Sequence, residues 1–362
     1  MKIIPPGRTI GIIGGGQLGR MTALAAANLG YKTHIFSPEK DCPASQVAFK
    51  ITCAPYEDKE ALRKFSEKVD VISFEFENIP NDTVVFLEEM NDVRPGSKVL
   101  YTAQNRLREK AFFNKIGVPT NRYISVESAD SLISGFNELG GRKAVLKTTE
   151  LGYDGKGQAI IETGGEWLKE IWNSCKMKNA ILEEYIDFSK EISAIVARGI
   201  DGKSLVFPIG ENKHSSGILD STVVPASIGQ KAEREVERMA IKIAEELGLI
   251  GILAIEFFVT NDGNIIANEM APRPHNSGHW TMDGCITSQF EQFVRAICGL
   301  PLGSVRQHSS ARMRNLIGED VNNLEDILND EFAKLHLYGK KEARPGRKMG
   351  HVNYVLPLNR GQ

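Results

Sequence analysis

Residues 251–277 read GILAIEFFVTNDGNIIANEMAPRPHNS. Two apolar runs, 252–260 and 264–270, flank Asn261-Asp262-Gly263, and Asp-Gly between such runs is a strong hairpin signal. With Asp262-Gly263 as the loop, Glu256 faces Glu269 directly. Side chains so opposed sit about 4.5–5.5 Å apart at Cβ, where like charges destabilise a sheet. Both lie in runs too apolar for a solvated face, and buried ionised carboxylates are costly unless something positive joins them. A divalent cation with hard oxygen ligands answers that, and magnesium is the natural choice beside a phosphate. A protonated glutamate, or a pair with Lys147 or Arg273, would also relieve the repulsion. Asn268 would point to the opposite face of an ideal strand.

Working outward, residues 144–148 (AVLKT) form a short strand that carries Lys147 and runs into LGYDGKGQ, 151–158. A lysine acting as a point charge beside a glycine-rich turn can hold and cover a triphosphate. The pattern is not a Walker A loop, which needs G-x-x-x-x-G-K-[ST] before a helix. A surface hairpin with Tyr153 and Asp154 in solvent fits this segment equally. In 180–191, AILEEYIDFSKE, an apolar strand ends in Glu183-Glu184-Tyr185-Ile186, with Glu191 shortly after. Backbone groups leaving such a strand can read an adenine edge and a carboxylate can hold ribose hydroxyls, but alone it reads as a strand and a polar turn.

At the N-terminus, a strand over 9–13 enters Gly14-Gly15-Gly16-Gln17-Leu18-Gly19, followed by an alanine-rich helix over 18–29 and a second strand over 32–36. This is G-x-G-x-x-G between strand and helix, where glycines admit phosphate to the amides of a helix N-terminus. A dinucleotide site wants an acidic residue closing the second strand, and only Glu39, past Pro38, is near. Another phosphorylated ligand, or a tight turn with no ligand, remains compatible. A third strand over 69–75 and a helix near 82–90 complete an α/β pattern that implies a parallel sheet. This first domain is expected to end near residue 100. A helix is predicted over 102–117, another near 166–176, and an amphipathic one over 233–247; a basic cluster, KKEARPGRK, occupies 340–348.

The 362 residues include 44 Lys+Arg, 46 Asp+Glu and 34 glycines. A length of two or three domains with near-zero net charge argues against a dedicated nucleic-acid binder. Five cysteines without CxxC spacing read as a reduced set without structural zinc. No signal-peptide pattern precedes residue 16, and the longest apolar stretch, 247–255, is half a membrane span. A cytoplasmic protein is expected.

Together these residues resemble the ATP-grasp superfamily and, within it, the 5-(carboxyamino)imidazole ribonucleotide synthase family. The matching stretches are IGIIGGGQLGRM (10–21), SFEFENIP (73–80), GYDGKGQ (152–158), NKHSSGILDST (212–222), NEMAPRPHNSGHWT (268–281) and RPGRKMGHVN (344–353). The resemblance implies an α/β (α+β overall) fold: a Rossmann-like parallel-sheet domain (1–100), an ATP-grasp domain (101–305) with a lid subdomain at about 119–187, and a small C-terminal domain (306–362). It implies ATP held by Arg106, Lys147, the loop Gly152, Tyr153, Asp154, Gly155, Lys156, Gly157 and Gln158, by Glu183, Glu184, Tyr185, Ile186, Glu191 and His214, and by Asn268 and Glu269. Magnesium would sit on Glu256 and Glu269. Aminoimidazole ribonucleotide would be bound by Gly16, Gln17, Leu18, Glu75, Tyr153, Lys156, Arg273, His275, Asn276, Lys340 and Arg347, with Lys147, Arg273 and His275 at the chemistry. The implied reaction phosphorylates bicarbonate to carboxyphosphate, which breaks down to carbon dioxide for attack by the ribonucleotide's amine, in purine biosynthesis. A homodimer is implied as well. Lys156 stands where the family usually has arginine, which replaces a bidentate phosphate contact by a point charge. The chain stops soon after GHVNYVLPL, so a shortened docking element is expected.

Overall fold

The computed structural model describes residues 2–152, 157–175 and 177–357. The N-terminal region is a parallel sheet of β1 (Thr9–Ile13), β2 (Lys32–Ser37), β3 (Lys50–Cys53) and β4 (Val71–Phe74), in the order β3-β2-β1-β4. Helices α1 (Gln17–Asn28), α2 (Lys59–Ser66) and α3 (Asn81–Glu88) connect it. The expected three strands and two helices are present, and β3 and α2 are additions. Strand β3 is a four-residue sheet edge, KITC, with no buried residue, too short and polar to show a period. Helix α2 does carry a start signal, since the Asp58 side chain accepts from the amides of Glu60 and Ala61.

The single helix predicted over 102–117 is two: α4 (Ser97–Ala103) and α5 (Arg106–Lys115). Asn105 breaks them. Its backbone is extended, and its side chain accepts from Leu107 and Arg108 amides at 3.0 and 3.2 Å, a polar N-cap inside what looked like one run.

A second, antiparallel sheet holds β5 (Tyr123–Val126), β6 (Ala144–Thr148), β7 (Gln158–Ile161) and β8 (Ala180–Glu184), in the order β5-β8-β6-β7. Helices α6 (Ala129–Glu138) and α7 (Trp167–Cys175) cover one face, closing a separate small core around Leu132, Phe136, Leu146, Leu168 and Leu182.

The remaining strands form one nine-stranded sheet: β9 (Phe188–Arg198), β10 (Ser204–Val206), β11 (Gly210–Ser215), β12 (Ile218–Val224), β13 (Gly251–Thr260), β14 (Ile265–Ala271), β15 (Ser309–Ile317), β16 (Ala333–Leu337) and β17 (Lys348–Pro357). Its order is β14-β13-β9-β11-β12-β15-β17-β16, with β10 on β9. The last three strands therefore continue the central sheet through the β12–β15 pair. Helix α8 (Gln230–Glu246) lays Val236, Met239, Ala240 and Ile243 onto one apolar face of this sheet, and α9 (Thr281–Gly284), α10 (Gln289–Cys298) and α11 (Leu324–Leu328) complete the fold. No helix among the described residues is long and apolar enough to cross a membrane.

The β13–β14 hairpin pairs Glu256 with Glu269, as expected, but reaches that register by another route. The Thr260 amide donates to the Asn264 carbonyl at 3.0 Å, so the loop is three residues with Gly263 at φ +84°, not two. Left uncorrected, this would shift every pair. The pairing steps from Phe257–Ala267 to Glu256–Glu269, leaving Asn268 as a bulge that restores the register. The bulge also turns Asn268 toward the Glu269 side, contrary to the ideal-strand expectation.

Candidate active site

A cleft of about 560 Å³ runs between the three sheets. At one end it is lined by Lys147, Glu183, Glu184, Tyr185, Ile186, Glu191, His214 and Arg106. Gly152, Gly157 and Gln158 border the same end, and Glu256, Asn268 and Glu269 lie on its floor. At the other end stand Gly16, Gln17, Leu18, Glu75, Arg273, His275 and Asn276. Tyr153, Asp154, Gly155 and Lys156 lie outside the described residues. Lys340 and Arg347 are absent from this lining: the Lys340 ammonium donates to the Lys348 carbonyl at 2.6 Å, and the Arg347 guanidinium to the Glu342 carbonyl at 3.0 Å. Lys348, of the same basic cluster, does line the cleft.

Burial makes the charges pair. Lys147 on β6 places Nζ 2.8 Å from a Glu183 carboxylate oxygen on β8 and 3.5 Å from Asn268 Oδ1. Burial opposes ionisation of Glu183, but the lysine charges of Lys147 and Lys110 outweigh it and hold the carboxyl down to about 2. The Glu256–Glu269 pair splits. Burial and the charge of Glu269 push Glu256 up to about 7, whereas Arg106, 2.6 Å away at the start of α5, overcomes burial and holds Glu269 down to about 2. Neither glutamate pairs with Lys147 or Arg273, the relief open at the sequence level. Arg273 instead grips Glu77 through two guanidinium nitrogens, Nη2 at 2.8 Å. Glu191 and His214 share a 2.8 Å hydrogen bond; burial disfavours the imidazolium, and that bond with the nearby carboxylates raises it nonetheless.

The glycine loop is the main revision. Glu75, directly after β4, accepts the Gly16 amide and, at 2.6 Å, the Gly19 amide. A side-chain carboxylate thus occupies the donors at the start of α1 that a phosphate would use. The glycines are required by this packing: a Cβ on Gly14 would lie 2.4 Å from Glu75 Cγ, and one on Gly15 2.3 Å from the Cys42 sulfur. In this arrangement neither a dinucleotide nor a phosphate finds these amides free. Glu39 is exposed beyond the strand.

His275, at 3.7 Å from Glu256, is pushed down to about 3 by burial and by Arg273 and Lys348, so it is neutral. Its Nδ1 accepts from the Ser277 amide at 3.3 Å. That makes it a contact group more than a base. Asn276 and Asn315 exchange amide hydrogen bonds of 2.9 and 2.8 Å. The sequence reading missed Glu77 and Lys110. Glu77 was visible as the second acid of Glu75-Phe76-Glu77, and Lys110 as a lysine one helical turn beyond Arg106. Among the described residues, no group of three His, Cys, Asp or Glu side chains is gathered for a metal; Glu256 and Glu269 are two carboxylates of the cleft that face each other in register.

A lysine strand, a glycine turn and two carboxylates in register over one cleft define an ATP-grasp ligase site. The domain family described as ATP-grasp domain matches residues 111–290, the ribonucleotide synthetase preATP-grasp domain 7–104, and the phosphoribosylaminoimidazole carboxylase C-terminal domain 311–358. The N5-carboxyaminoimidazole ribonucleotide synthase of Brucella melitensis is 46% identical over 357 residues, covering 98% of both chains. The bifunctional purine synthesis protein of Dictyostelium discoideum is 46% identical over 97% of this chain, which spans 37% of that longer protein. A crystal structure described as the ADP complex of N5-carboxyaminoimidazole ribonucleotide synthetase superimposes with a TM-score of 0.94 at 44% identity, covering 98% of this chain and 94% of the other. The Aspergillus clavatus enzyme, solved with ADP and 5-aminoimidazole ribonucleotide, gives 0.89 at 26% identity over 97% and 94%. The chain belongs to the N5-carboxyaminoimidazole ribonucleotide synthase family.

Proposed function

We propose that this chain carries out its family's reaction: ATP-dependent carboxylation of 5-aminoimidazole ribonucleotide with bicarbonate, giving the 5-carboxyamino product, ADP and phosphate in purine biosynthesis. The observation that carries it is one continuous cleft with phosphate-type cations and facing carboxylates at one end and Glu75, Arg273 and Asn276 at the other. ATP takes the first end, against Lys147, Arg106, Glu191 and the strand exit at residues 183–186. The ribonucleotide takes the second. Its phosphate is best matched by the basic 340–348 segment, first through Lys348, which lines the cleft, and through Lys340 and Arg347 once they leave the carbonyls they hold, because the amides of Gly16 and Gly19 already hold Glu75.

Glu256 and Glu269 fit a magnesium ion: two hard oxygen donors directly opposed, with Glu256 pushed up by burial and by the charge of Glu269. When bound, magnesium offsets charge on the transferring phosphoryl group. The protein's own groups do the rest. Arg106 and Arg273 each hold a carboxylate that an arriving anion can replace, which keeps two cations desolvated and aimed into the cleft. Carboxyphosphate formed there breaks down to carbon dioxide beside the ribonucleotide amine, where exclusion of water from the cleft would limit its loss. Released phosphate takes the amine proton, since His275 is too weak a base. Cytoplasmic location and a homodimer complete the reading and rest on the family alone.

Purified protein should release ADP at full rate only with bicarbonate and aminoimidazole ribonucleotide together. Robust turnover with formate, or with biotin in place of the ribonucleotide, would replace this reading by that of another ATP-grasp ligase.

A further inference from the structure

Strand β14 is an edge strand, so one side of its backbone lacks a neighbouring strand. Buried backbone groups must still be satisfied. The Ala267 amide donates to the Pro119 carbonyl at 2.8 Å. Beyond it the partners are side chains of α5. The Lys110 ammonium donates to the Asn268 carbonyl at 3.3 Å, the Met270 amide donates to Glu109 Oε1 at 2.5 Å, and Arg106 holds the Glu269 carboxylate between them. Arg106, Glu109 and Lys110 are spaced i, i+3 and i+4, so they share one helix face. Three side chains of that face thus grip three successive residues of β14, at the bulge and on either side of Glu269.

The grip is built into the interior. Lys110 is wholly buried and Glu109 nearly so. Lys110 is itself fixed by Asn121 Oδ1 at 2.7 Å and by Glu183 at 3.5 Å. Neither Glu109 nor Lys110 contributes to the ATP end of the cleft, so contact with nucleotide does not explain two buried ionisable side chains.

We propose that Glu109 and Lys110 are positioning residues, a brace that sets the Asn268 bulge and so keeps Glu269 opposite Glu256 at cation-holding distance. The inference rests on the magnesium reading above and deepens it. Partners that orient a ligand typically change metal affinity about 10- to 100-fold when removed.

The test is manganese binding by electron paramagnetic resonance, with ADP present and no turnover, on intact protein. Glu109→Leu and Lys110→Met are expected to weaken manganese about 10- to 100-fold while leaving ADP binding without metal unchanged. Glu109→Gln should restore affinity, because its amide oxygen still accepts from Met270; Glu109→Asp, one methylene short, should not. Unchanged manganese affinity in Glu109→Leu and Lys110→Met would overturn the brace, and so would Glu109→Gln binding as weakly as Glu109→Leu. If the first two do not fold, Glu109→Asp against Glu109→Gln decides it. Manganese binding that follows this order, in a protein without bicarbonate-dependent ADP release, would sink the carboxylation reading and leave the brace standing.

Discussion

Replacing Glu183 by Gln is the sharpest test of the electrostatics. Its side chain is 2% exposed and lies between Lys147 at 2.8 Å and Lys110 at 3.5 Å. A carboxyl that titrates at 4.5 when free and at about 2 in the fold contributes about 3 kcal/mol at neutral pH. The folded value is the depressed one, so the contribution is full above pH 4.5 and disappears as pH falls through 2. Substitution by Gln keeps shape and leaves two buried ammonium groups facing each other. Removing one partner of such a pair costs about 3–5 kcal/mol, more than the pair itself supplies. The assay is urea unfolding followed by tryptophan fluorescence: two of the three tryptophans, Trp167 and Trp172, lie on α7, over the sheet that contains Glu183. Adding Lys110→Met to Glu183→Gln should recover part of the loss, because only one buried ammonium then remains. A loss under about 1 kcal/mol for Glu183→Gln, or no recovery in the double variant, would refute the idea that this carboxylate neutralises both lysines.

Glu269→Ala should abolish turnover at millimolar magnesium, since it removes a cation ligand and frees Arg106; retained ADP release would dismiss the metal site, and chelation should silence the unmodified protein in the same assay. Gly16→Ala would place a Cβ 2.8 Å from the Glu75 carboxylate and should cost about 1–3 kcal/mol by overpacking. It should also raise the KM for the ribonucleotide with that for ATP unmoved, and equal changes in both would dissociate the loop from the substrate end. His34 is buried between sheet strands and pushed down to about 4 by burial, then by Lys50 and Lys68. The unfolded chain therefore takes up the proton first, and stability falls as pH drops below 6.5, by about 2 kcal/mol at pH 5. His34→Gln should flatten that slope in denaturation curves measured from pH 7 to 5.

Local pattern carried a good deal of this. The β13–β14 strands, α1, α8 and the facing glutamates were legible because each depends on neighbours in sequence: hydrophobic period, a turn signal, a helix stop. The Glu256–Glu269 register was reached by two offsetting features, a longer loop and a bulge at Asn268, neither of which leaves a mark in local composition. The break at Asn105 was legible only in hindsight, as a capping residue.

Sequence alone supplied the inventory: which carboxylates, which lysine, which glycine turns, and the family they resemble. Charge pairing was decided in three dimensions, because a buried ion is stabilised by whichever opposite charge the fold brings within about 4 Å, regardless of separation along the chain. So Arg106 met Glu269 and Arg273 met Glu77, while Glu75 took amides that the motif alone would have given to phosphate. The glycines were needed for that closeness of chain to chain, which a sequence records as permission and only a folded backbone turns into contact.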